Sequence, residues 1–84
     1  VRPSRPGMGD AAAARAARKE LARLERALDR LRVREAQLHG DLSAAATDHE
    51  KVLSLDAELR DLVAERTGLE DRWLELAELS EDAG

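Results

Sequence analysis

An all-α fold, two long helices turned back on each other as an antiparallel coiled-coil hairpin, is what the sequence predicts from three observations. The composition suits long helices: the hydrophobic 43% is mostly Leu and Ala, 38% is charged, and Trp73 is the sole aromatic residue. With no Ile and only Val1, Val33, Val52 and Val63, sheet formers are scarce. Leu recurs in two stretches at alternating steps of three and four, the spacing of a helix seam. Only the short segment SAAATDHE separates the stretches, and helices joined by a short connection lie antiparallel side by side. The 84 residues suffice for one small domain.

Taken in order, residues 1–9 read VRPSRPGMG. Two Pro and two Gly oppose helix there, so the segment reads as a flexible linker or an expression remnant. Asp10 precedes an Ala-rich run and suits a helix N-cap. The first helix is expected over residues 10–42, with Ala14, Ala17, Leu21, Leu24, Leu28, Leu31, Leu38 and Leu42 on its seam and Glu35 as the break. Gly40 is expected to loosen its end. A tip follows at 43–47, where Thr47 and Glu50 match a capping box that opens the second helix. That helix is expected over 48–80, with Val52, Leu55, Leu59, Leu62, Leu69, Trp73 and Leu76 on its seam and Arg66 as the break; residues 81–84 read as a disordered tail.

Charge suggests a register. Placing Leu21 opposite Leu69, Leu28 opposite Leu62, Leu31 opposite Leu59 and Leu38 opposite Val52 puts Trp73 over small Ala17 and Leu76 over Ala14. The flanking pairs are then Glu20–Arg72, Arg34–Glu58, Asp41–Lys51, Arg18–Glu70 and Arg32–Asp56, all of opposite sign. A slip of one heptad sets Glu25 against Glu70 and Asp41 against Glu58 instead. Each exposed pair contributes about 0–1 kcal/mol, but together they are expected to discriminate between registers. Glu35 and Arg66 are expected to reach solvent along their stems and to carry no chemistry.

Several function classes are set aside. Without Cys there is neither a disulfide framework nor a thiolate metal site, which fits a reducing cytoplasm. No apolar run approaches the roughly 20 residues of a membrane span, and no signal peptide is visible, so a cytoplasmic chain without membrane contact is expected. Acid–base catalysis by a carboxylate pair needs a cleft, which a two-helix coil is expected to lack. No catalytic residue, small-molecule substrate or enzyme activity is therefore assigned. His39 and His49 approach each other near the tip beside Asp41 and Asp48, a donor set zinc accepts. An exposed tip makes solvated side chains the better reading, and no metal or cofactor is expected in this segment.

The net charge of −4 conceals an asymmetry. Residues 1–42 carry ten basic and six acidic side chains, residues 43–84 four and twelve. In the first half Arg15, Lys19, Arg23, Arg26, Arg30 and Arg34 follow at steps of four, four, three, four and four, which aligns them in one ridge opposite the Leu seam. Like charges at such spacing oppose helix formation by a few tenths of a kcal/mol per pair, roughly. A phosphate backbone would offset that repulsion and release counterions. These six residues are the candidate nucleic-acid contacts; the competing reading is a solvated Arg-rich face. No aromatic residue interleaves the ridge, so contact is expected to be independent of base sequence. The second helix is acidic outside, at Glu50, Asp61, Asp71, Glu75 and Glu78. That face reads as solvated, or as one that meets a basic protein surface.

The stretch from Ala17 to Glu78 also resembles the C-terminal domain of ABC-F ATPases, the Uup-like group in its actinobacterial form. The resemblance rests on RKELARLER at Arg18–Arg26, REAQLH at Arg34–His39, ATDHEK at Ala46–Lys51, LDAELR at Leu55–Arg60 and LEDRWLELAE at Leu69–Glu78. In that family an aromatic residue often occupies the turn where this chain has His49. The resemblance implies a parent protein with two upstream ATP-binding cassettes, using ATP and Mg there, and a basic linker that VRPSRPGMG could represent. It implies action on ribosomes or other nucleic acid, in translation or antibiotic resistance, and a C-terminal hairpin that binds DNA or ribosomal RNA. No GxxxxGK[ST] phosphate loop occurs in this chain. The alternative is a protein-interaction or oligomerisation coiled coil without nucleic-acid binding, docking on the parent's cassettes or self-associating through the acidic helix or through Val33, Val63 and Leu79.

Overall fold

The computed structural model describes the backbone of residues 8–83 and the side chains of residues 11–80. Helix α1 spans Met8–Ala44 and helix α2 spans His49–Ala83, and they pack along their length as the expected antiparallel hairpin, with no strand among the described residues. The linker expected over 1–9 falls largely outside the described residues, as do the side chains of Asp10 and of the expected tail. The α1 backbone is already helical at Met8, ahead of Asp10.

Gly40 does not loosen α1, which continues to Ala44, and no glycine has positive φ among the described residues. One interior glycine costs a helix about 1 kcal/mol. Burial of neighbouring Leu38, the one side chain with no exposed surface among the described residues, outweighs that. At the tip the Ala45 amide donates to the Asp41 carbonyl (2.9 Å) and the Asp48 amide to the Ala45 carbonyl (2.8 Å). This turn consumes Thr47, so the cap of α2 is Asp48 and not Thr47 as the sequence suggested. The Lys51 amide donates to Asp48 Oδ1 at 3.1 Å, satisfying one of the free amides of the first turn.

The core is one seam wide. Leu24, Leu28, Leu38, Leu62 and Leu76 are buried, as are the small side chains of Ala14, Ala17 and Ala45. Trp73 is only half-buried and packs with Leu21 and Leu69 on the cluster of Ala17, Leu24 and Leu76.

That cluster corrects the register. Ala17 and Leu24 stand about 10 Å apart along α1, and Leu76 shares one buried cluster with both. Leu76 therefore lies between them, level with Leu21 and not with Ala14. The hairpin is shifted by one heptad from the charge-based expectation. Ala45, in the turn, is buried as well.

The reason is visible in the ion pairs. Of the five expected flanking pairs, Arg34–Glu58 forms: Arg34 Nε donates to Glu58 at 3.0 Å, while Nη1 donates to Gln37 at 3.3 Å. The guanidinium thus leans toward the tip and spans the shift. Most of the other partners bond along their own helix: Arg23 with Glu20 (2.9 Å), Arg32 with Asp29 (3.0 Å), Arg60 with Asp56 (2.9 Å) and Arg72 with Glu75 (3.5 Å). A partner one turn away on the same helix is available in any register, so these charges no longer discriminate.

The two seam breaks do discriminate. Arg66 Nε lies 3.4 Å from Glu35 across the helix interface, with these side chains 29% and 23% exposed. In the expected register they would sit roughly 16 Å apart along the axis. The shift sets them in adjacent layers. Leaving either charge alone in an apolar seam costs more than several solvent-exposed pairs contribute. The Nε atom is inaccessible and makes no aligned hydrogen bond, so the pair acts through charge.

Candidate nucleic-acid interface

Arg15, Lys19, Arg23, Arg26, Arg30 and Arg34 are all exposed on α1. At 3.6 residues per turn they fall within an arc of about 100°, over a length of about 28 Å, on the side away from the seam. They are not equivalent. Arg23 is held by Glu20, through Nε at 2.9 Å and a second bond from Nη2. That hydrogen bond is the main reason the Glu20 carboxyl sits below its ordinary range; desolvation opposes the shift, and the positive charges of Arg23 and Arg72 add to it. The same bond raises the Arg23 guanidinium. Arg34 is bound to Glu58. Arg15, Lys19, Arg26 and Arg30 have no ion-pair partner among the described residues. The ridge thus contains four uncommitted cations and two that a ligand would have to draw from a carboxylate.

No carboxylate falls within this arc between Arg15 and Arg34. The acidic side chains Glu50, Asp61, Asp71, Glu75 and Glu78 are exposed on α2. Rigid positions on a long helix keep the two fields apart, leaving one face of the hairpin cationic and the other anionic.

Near the tip His39 Nε2 lies 3.8 Å from the Glu35 carboxylate on its own helix. No group of three or more metal-ligating side chains converges among the described residues. No described helix is long and apolar enough to cross a membrane.

Sequence reasoning missed two features. Glu35 and Arg66 were read as separate solvent-reaching breaks, although two opposite charges interrupting two seams are themselves a signal that they meet. The other is a groove of about 620 Å³ lined by Glu25, Leu28, Asp29, Arg32, Glu70, Asp71, Trp73 and Leu74, where two helices were expected to leave no cleft. It follows from the register, which brings Glu25 and Glu70 to the same groove.

No curated protein and no solved structure matches the chain. A model of the ABC transporter C-terminal domain family matches residues 13–78, from the first turns of α1 nearly to the end of α2. With the match spanning both helices and the tip, the chain belongs to the ABC transporter C-terminal domain family.

Proposed function

We propose that this hairpin is an accessory nucleic-acid-binding domain of an ABC-F ATPase, laying the outer face of α1 along the phosphates of DNA or ribosomal RNA. The observation that carries the reading is the exposed six-cation ridge, four of whose members have no ion-pair partner among the described residues. Such a face is repulsive to itself and gains from phosphates, each contact releasing a condensed counterion. The acidic face of α2 directs the contact by repelling the same polymer. ATP and Mg belong, in this reading, to upstream cassettes of the parent protein, and the hairpin positions them on a cytoplasmic nucleic-acid target.

The test is titration of a fluorescent DNA duplex, and separately an RNA hairpin, with the chain and with a variant carrying Arg15→Glu, Lys19→Glu, Arg26→Glu and Arg30→Glu. All four residues are exposed, so the helices should persist by circular dichroism. Micromolar binding that falls at least about 100-fold in the variant is expected. Equal binding by the two chains would contradict the assignment.

A further inference from the structure

The groove between the helices is two helical turns long. Its α1 wall runs from Glu25 to Arg32, about 10 Å along the axis. Leu28, Trp73 and Leu74 supply its apolar surface, and Leu74 is 54% exposed. That surface continues along α2: half-buried Val63 and Ala77 stand eleven residues before Leu74 and three after it, on the same stripe of the helix. Four carboxylates, Glu25, Asp29, Glu70 and Asp71, edge the groove against one guanidinium, Arg32. Arg32 is taken by Asp29 at 3.0 Å, and Glu70 lies 4.0 Å from Arg66. Glu25 and Asp71 have no ion-pair partner among the described residues.

An apolar strip edged by unneutralised carboxylates, beside a core one seam wide, is a surface on which a third helix completes a bundle. The helix that fits has large apolar side chains at steps of three and four, with Lys or Arg on either side of them. This chain does not supply it. The helix that carries the exposed cations, α1, has one large exposed hydrophobic residue among those described, Val33, where two turns of groove call for a stripe. Residues 80–84 contain no cation. Arg2, six residues ahead of Met8, reaches at most about 21 Å from it, and Glu25 lies about 26 Å along α1.

We infer that the groove docks a basic amphipathic helix of a partner protein. Its apolar side chains lie against Trp73 and Leu74, and its Lys or Arg side chains meet Glu25 and Asp71. The groove and the cationic ridge occupy different sides of α1, so the docked helix leaves the ridge open to phosphates.

Trp73 is the sole tryptophan, so its emission reports cover of the groove directly. The test is titration of the chain, without nucleic acid, by a synthetic helical peptide of Leu and Lys with Leu on one face. One control peptide has the same composition with Leu scattered around the helix, and another has Glu in place of Lys. A saturable blue shift of Trp73 emission at micromolar peptide is expected, which neither control produces. Leu74→Ser should weaken binding by about tenfold, and Glu25→Gln with Asp71→Asn by a similar factor. Asp61→Asn with Glu75→Gln, exposed on α2 outside the groove, should change it by no more than about twofold. An equal response to the scattered peptide, or an equal loss on removing Asp61 and Glu75, would reduce the binding to general attraction by the acidic helix and overturn the proposal. So would a blue shift that grows with the concentration of the chain alone, which would mean that a second copy covers the groove.

Discussion

At the scale of single residues, charge acts differently according to how much water it keeps. Glu35 and Arg66 are largely covered, and their mutual attraction aligns the helices. Arg23 and Glu20 are neighbours on one helix and fix nothing between helices, but they set what a ligand meets. Removing the carboxylate should free Arg23, so Glu20→Gln is expected to tighten duplex DNA binding by a few-fold, about what one added surface ion pair supplies. Unchanged or weaker binding would show that Arg23 stays outside the contact. The carboxyl is depressed from its usual range by the Arg23 bond. The pairing is therefore fully present above the ordinary glutamate range and is lost as pH falls through the lower, folded-state value. A carbon-detected titration of Glu20 should show a midpoint below the ordinary glutamate value, and a midpoint at that value would contradict the pairing.

At the scale of the element, both helices were legible because Leu spacing states the period, and the seam positions it names are those that the structure covers. What was hard to read was the tip. Thr47 and Asp48 are adjacent cap residues, and only the turn geometry, with the Asp48 amide on the Ala45 carbonyl, decides between them. Asp48→Ala is expected to cost about 1 kcal/mol in urea unfolding, and Thr47→Ala a few tenths at most. The reverse order would restore the sequence-based assignment. Gly68 lies inside α2 with nothing within 4 Å of where a Cβ would stand, and it has no positive φ. Gly68→Ala should then stabilise the chain by about 1 kcal/mol, the helix-propensity difference alone. Loss of stability instead would show that the position approaches another surface.

At the scale of the whole molecule, register was the part the sequence hid. The core seams fit equally well at either heptad, and the flanking charges chosen to discriminate found partners on their own helices. A buried or half-buried pair weighs more than several exposed ones, and which charges become half-buried depends on the register itself. Cysteine pairs can read the outcome. Leu21→Cys with Leu76→Cys should form a disulfide readily, and Ala14→Cys with Leu76→Cys should not, because bridged Cα atoms must lie within about 7 Å. The opposite pattern would restore the charge-based register. The shift that produces the groove leaves the outer face of α1 unchanged, so the candidate contacts named from the sequence keep their positions, all exposed on one side of α1.

The most direct measurement of phosphate contact by that ridge is the salt dependence of duplex DNA binding. Four cations without an ion-pair partner among the described residues predict that the logarithm of the association constant falls with the logarithm of salt concentration at a slope between about −3 and −4. Reversing Arg15, Lys19, Arg26 and Arg30 should bring the slope close to zero. A chain whose DNA binding is absent at low salt, or present with a flat slope, would contradict the account and leave the ridge as a solvated face.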